Sequence, residues 1–113
     1  MAKSYEMQCP VARTLDVIGE RWAILVLRDL LLFKSRRFVD FVEALPGIPP
    51  NTLSARLKRL EAAGVVERRL YEQHPPRAEY ILTAKGRELG PIVAAMREWG
   101  RQNSGEDSAT RAS

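Results

Sequence analysis

The sequence predicts a mainly α-helical domain with one small β-hairpin, in the order α-α-α-α-β-β-α. Three observations lead there. Apolar residues recur at helical spacing from Cys9 to Ala63. After Gly64 the pattern changes to alternation, which lasts to Thr83. A last helical stripe then closes the chain, and 113 residues with 45% hydrophobic content suit a single domain.

Each element has its own signals. Cys9-Pro10 opens the first helix, because proline favours the first helical position and leaves Cys9 as the N-cap. Val11, Leu15 and Ile18 then follow at the spacing of one buried stripe, and Gly19 ends the helix. A second helix spans about Arg21–Leu32 and is apolar nearly all round, so it must be buried on most sides, by its own domain or also by a partner. Residues 34–37 form a basic turn. A third helix, about Arg37–Leu45, gathers Phe38, Phe41, Val42 and Leu45 on one face before the break at residues 46–50. The fourth helix starts near Pro50 and runs to Ala63, with Gly64 as its C-terminal cap. The short turn-rich interval between the third and fourth helices is what a helix-turn-helix needs.

Beyond Gly64, Val66, Arg68 and Leu70 alternate with Glu67, Arg69 and Tyr71. Residues 73–76 form a loop, and Arg77–Thr83 alternates again, giving a hairpin. Thr83 caps the last helix, whose stripe is Leu89, Ile92, Val93, Met96 and Trp99. Pro91 inside it predicts a kink or a restart. Residues 101–113 have no large apolar residue and read as a disordered tail, leaving an ordered domain over residues 9–100.

Several functional classes are excluded by composition. Residues 1–8 carry no apolar stretch of the kind a secretion signal needs, and no segment has the roughly 20 apolar residues that cross a bilayer. A cytoplasmic chain without membrane partners is the default expectation. One Cys and one His exclude an intrachain disulfide and a Cys- or His-based metal cluster, so no metal or cofactor is expected. No nucleophile–base pair, paired carboxylates around a His, or Gly-rich phosphate loop suggests an enzyme.

Charge is more informative. The net charge is +4, and between Asn51 and Arg87 eight basic residues face four acidic ones, so the whole surplus sits in that third of the chain. An anion-binding surface requires such clustering, although a solvated basic face would show it too. On the fourth helix, at about 100° per residue, Leu53, Leu57 and Leu60 share the core side. Asn51, Ala55, Lys58, Arg59 and Ala62 point the other way, with Thr52 and Ser54 on the flanks. Small residues permit close approach to DNA, Asn and Thr can read base edges, and Arg and Lys reach phosphate or guanine. An ordinary amphipathic surface helix is the alternative. The ribbon that follows carries Arg68, Arg69 and Arg77, with His74-Pro75-Pro76 at its tip, and a stiff basic tip suits the DNA backbone or minor groove. A helix-turn-helix, a ribbon and a further helix make a winged-helix order.

Certain segments then fall together in order and spacing: Cys9-Pro10-Val11, Gly19-Glu20-Arg21-Trp22, Arg36-Arg37-Phe38 and Leu53-Ser54-Ala55-Arg56-Leu57. Leu60-Glu61, the run from Gly64 to Arg68, the run from Pro76 to Tyr80, Leu82-Thr83, Gly86 and Trp99-Gly100 continue the series. From Cys9 to Gly100 the chain resembles the HxlR family of bacterial winged helix-turn-helix regulators, a group related to MarR. The resemblance implies a transcriptional regulator that binds a pseudo-palindromic DNA operator as a homodimer, built through the first and last helices. Val11, Leu15, Leu89, Ile92, Val93, Met96 and Trp99 are the interface candidates. Arg36, Arg37, Asn51, Thr52, Ser54, Ala55, Arg56, Lys58, Arg59, Arg68, His74 and Arg77 are the DNA-binding candidates. Some family members sense electrophiles or oxidants through a cysteine at the position of Cys9. The chain departs from many members at Pro49, where a Ser or Thr would cap the reading helix.

Cys9 has a physical case of its own: a thiolate at a helix N-terminus is favoured by free N–H groups and the dipole, and Arg13 stands one turn away. The alternative is a small apolar residue in the dimer seam. A small-molecule inducer in an apolar pocket between the first, second and last helices competes with thiol sensing. A winged-helix protein–protein module would instead have a less basic fourth helix.

Overall fold

The computed structural model describes residues 9–104. The expectations for residues 1–8 and for the tail from 105 onward lie outside the described residues. α1 (Pro10–Ile18) begins as the Cys9-Pro10 signal predicts, with Cys9 extended at the N-cap and making no side-chain cap bond. α2 (Arg21–Leu32) is the spine of the domain, and Ala23, Val26, Leu27 and Leu30 are buried along it. Around it pack Phe41 of α3 (Phe38–Ala44), Leu45, Ile48, and Leu53, Leu57 and Leu60 of α4 (Pro50–Ala62). Val65, Val66 and Leu82 close this single core from the sheet side. Each fully buried Leu or Phe contributes roughly 1.5–3 kcal/mol by leaving water.

Gly64 ends α4 as predicted, at φ +81°. The Val65 N–H reaches back to the Leu60 carbonyl at 3.1 Å, and the Gly64 N–H to that of Glu61 at 3.0 Å. This is the paired arrangement that a left-handed cap residue makes possible. Lys85 Nζ donates to the Ala63 carbonyl at 2.9 Å and Thr83 Oγ1 to that of Gly64 at 2.6 Å, so the chain after the hairpin returns to lock the same corner.

The sheet has one strand more than the sequence predicts. β1 (Arg36–Arg37) joins β2 (Val66–Gln73) and β3 (Pro76–Leu82) in the antiparallel order β1-β3-β2. Two residues cannot display an alternating pattern, so only the pairing of Arg36 with Tyr80 and of Arg37 with Glu79 defines β1. In the ribbon Val66 faces Leu82, Arg68 faces Tyr80 and Leu70 faces Ala78. An irregularity then falls between Leu70 and Glu72. It leaves Tyr71 out of the pairing and ends the strict alternation read from the sequence. On β2 only Val66 is buried, because the rest of the ribbon projects beyond the core.

The predicted last helix is two. α5 (Ala84–Arg87) is capped by Thr83, whose Oγ1 accepts the Gly86 N–H at 3.0 Å. α6 (Gly90–Asn103) restarts with Pro91 in its first turn, the restart that proline predicts. Gly86 is needed for close approach, since a Cβ there would overlap the Val65 carbonyl oxygen. α6 continues to Asn103, so Arg101 is helical and not the start of a tail. The first helix needs a correction as well. Its inward residues are Ala12 and Ile18, while Val11 is 67% and Leu15 48% exposed in the single chain. No helix of the described residues is long and apolar enough to cross a membrane.

Candidate nucleic-acid interface

α4 presents the face its sequence predicts. Leu53, Leu57 and Leu60 are fully packed, Asn51, Ala55, Lys58, Arg59 and Ala62 are exposed, and Thr52 and Ser54 lie between. Pro49 extends into the N-cap without a side-chain cap, and Pro50 takes the first turn. The first backbone N–H groups of α4 therefore have no side-chain acceptor, and a helix N-terminus of this kind favours phosphate.

The basic candidates divide into two groups. Arg36 is held inside: its Nε donates to Asp29 Oδ2 at 2.8 Å, and its guanidinium lies 3.8 Å from the centre of the Phe33 ring. Asp29 is one of the buried residues of α2, so Arg36 supplies the counter-charge of a core carboxylate. Arg56 also turns inward, with Nε 2.7 Å from Glu20 Oε1. Burial raises the pKa of the Glu20 carboxyl, but the Arg56 contact and the Ala23 and Trp22 N–H groups outweigh it, and the net shift is downward. Arg37 grips Asp40 with Nε at 3.2 Å and Nη2 at 3.0 Å, and Asp40 also accepts the Arg37 N–H at 2.8 Å. These bonds hold the Asp40 carboxyl below the usual carboxylate range. At that site Arg37 caps α3 while remaining at the surface.

On the ribbon Arg77 pairs with Glu72 at 2.9 Å and Arg69 stands 4.0 Å from Glu67. Arg68 and His74 are exposed. Lys58, Arg59 and Arg68 are the candidates that enter no ion pair among the described residues. The acidic partners Glu20, Asp29 and Asp40 are functional neighbours that the sequence reading missed. Only Asp29 carried a usable signal, a charge set between Leu27 and Leu30 that needs a counter-charge when buried.

A second surface is apolar. Ile92, Met96 and Trp99 of α6 are exposed beside Val11 and Leu15 of α1. Between α1, α2 and α6 runs a groove of about 580 Å³ lined by Val11, Leu15, Ile18, Ile24, Ile92 and Met96. Leu89 is half-buried against the core of its own chain. Val93 is partly covered by its own chain. Cys9 is exposed at the start of α1. Among the described residues no group of three His, Cys, Asp or Glu is placed to hold a metal ion.

The family model described as an HxlR-like helix-turn-helix matches residues 17–108. The chain is 45% identical over 93 residues to the uncharacterized HTH-type transcriptional regulator sll1512 of Synechocystis sp., covering 81% of this chain and 67% of that protein. It is equally 45% identical over 95 residues to the regulator YybR of Bacillus subtilis, covering 84% and 75%. Among solved structures it is similar to the redox regulator HypR in its oxidized form, with a TM-score of 0.79, 44% identity and coverage of 84% and 97%. It is also similar to the reduced form of the transcriptional regulator YodB from B. subtilis, with a TM-score of 0.71, 32% identity and coverage of 88% and 98%. A helix-turn-helix with an exposed basic face, a ribbon that follows it and these relatives together make the chain a member of the HxlR-like family of winged helix-turn-helix transcriptional regulators.

Proposed function

We propose that the protein is a sequence-specific regulator that binds a pseudo-palindromic operator as a homodimer, with α4 of each protomer in the major groove. The observation that carries this reading is the solvent face of α4. Among the described residues Lys58 and Arg59 stand there without ion-pair partners, beside small Ala55 and polar Asn51. Thr52 and Ser54 flank the same N-terminal half, and Arg68, Arg77 and His74 on the ribbon reach the adjoining backbone. The exposed residues of α1 and α6 suit a two-fold seam, which would set two reading helices about one DNA turn apart, roughly 34 Å. The test is operator binding by Lys58→Ala/Arg59→Ala. Affinity should fall, and the slope of log K against log salt should drop by about 0.9 for each phosphate that is no longer neutralised. Binding equal to wild type, with an unchanged slope, would remove α4 as the reading element.

The response to a signal runs through Cys9. HypR is a redox regulator solved in oxidized and reduced forms, and YodB was solved reduced and after diamide treatment. Those relatives and the exposed thiol at the start of α1 support sensing of oxidants or electrophiles here. With one cysteine per chain, the products are an intersubunit disulfide or a mixed adduct. Either would sit in the proposed seam and rotate one subunit on the other, changing the spacing of the reading helices. Cys9→Ser should bind the operator like wild type and lose the response to a quinone or diamide. Equal responses in both proteins would favour the second reading, a small apolar inducer in the groove between α1, α2 and α6.

A further inference from the structure

One oxygen of Glu20 serves two elements. Its Oε1 accepts the Ala23 N–H at 2.9 Å, which caps α2, and lies 2.7 Å from Arg56 Nε on α4. That Nε is buried and has no aligned hydrogen-bond acceptor, so the contact is an ion pair rather than a linear hydrogen bond. Behind Glu20 the chain has no slack. The Gly19 N–H bonds the Leu15 carbonyl at 2.8 Å, and a Cβ on Gly19 would lie 2.5 Å from the same oxygen. The end of α1, the cap of α2 and the flank of α4 therefore meet at one carboxylate. Elsewhere α4 is seated by the buried Leu53, Leu57 and Leu60, which fix its inward face, while Arg56 stands on the flank of that face. Arg56–Glu20 is the ion pair that ties α4 to another element among the described residues.

We infer that Glu20 is a positioning residue: through Arg56 it pins the flank of α4 to the α1–α2 corner and so refines the orientation of the DNA-reading face. This rests on the proposed role of α4 in reading DNA, and it assigns Arg56 to holding the helix rather than to contacting phosphate. A turned helix loses base contacts before phosphate contacts, because base edges demand geometry and phosphates demand mainly charge. The role therefore shows in discrimination between sequences, which a simple loss of folded protein leaves unchanged.

The test uses the full chain and a duplex enriched by the wild-type protein from a random-sequence library, with unselected duplex as control. Glu20→Gln keeps an acceptor for the Ala23 N–H and removes the ion pair; Arg56→Gln removes it from the other side. Each should bind the selected duplex about tenfold more weakly at matched folded fraction. The double variant should also lose about tenfold, not about a hundredfold, because both changes break one interaction. Unselected duplex should bind Glu20→Gln no less tightly than wild type, since losing one acidic charge does not weaken attraction to phosphate. The inference is overturned if Glu20→Gln binds the selected duplex as tightly as wild type, or if the two losses multiply. It is equally overturned if the salt slope of Arg56→Gln falls by about 0.9, the mark of one phosphate fewer neutralised. Lys58→Ala/Arg59→Ala in the same assay separates the two failures. If it loses binding while Glu20→Gln does not, only the positioning role is wrong; if neither loses binding, α4 does not read DNA.

Discussion

Arg36→Ala should lower the unfolding free energy by about 3–5 kcal/mol, the cost of leaving a buried charge without its partner. The Asp29 side chain is 4% exposed and receives its counter-charge from Arg36 Nε at 2.8 Å. Without Arg36 that carboxylate would sit in the packed face of α2, between Leu27 and Leu30, with only the N–H groups and dipoles of the core around it. A domain of this size has only roughly 5–15 kcal/mol of stability, so the variant loses a large share of it. Urea denaturation checks it: the midpoint falls while the slope with denaturant stays constant. Asp29→Leu/Arg36→Met should recover most of the loss, because an apolar pair of similar volume removes the unpaired charge. A surface phosphate contact would behave differently, leaving the midpoint in place and reducing the salt slope of DNA binding by about 0.9.

Met96→Asp should leave folding nearly intact and dismantle the proposed dimer. Met96 is 50% exposed in the single chain, beside Ile92 and the groove that Val11 and Leu15 line. Surface changes of this kind usually stay within about 0.5 kcal/mol in stability. In a two-fold seam the same aspartate would be buried against the mostly apolar residues of the groove in both protomers. Sedimentation should then show monomers at micromolar concentration. Operator affinity should fall by about 10²–10⁴, because two linked reading helices gain avidity that a single one lacks. A variant that remains dimeric and binds normally would place the seam elsewhere.

The features legible in the sequence are those set by near neighbours along the chain. Pro10, Gly64 and Thr83 act on backbone groups within a few residues, and all three mark element ends as read. The reading face of α4 follows from helical spacing alone, so Leu53, Leu57 and Leu60 fall inward and Asn51, Lys58 and Arg59 outward. The family follows from many such local signals kept in order. Tertiary structure alone decided which cations have acidic partners. Arg36 and Arg56 look no different in sequence from Lys58 and Arg59, and they are occupied because Asp29 and Glu20, on another element, come within 3 Å of them. The same holds for β1, which exists only because β3 offers it partners, and for the outward Val11 and Leu15, whose stripe shows apolar spacing without showing what covers it. Periodicity reports which side of an element is apolar; ion pairing and burial depend on distances between residues far apart in the chain, and only the folded arrangement sets those.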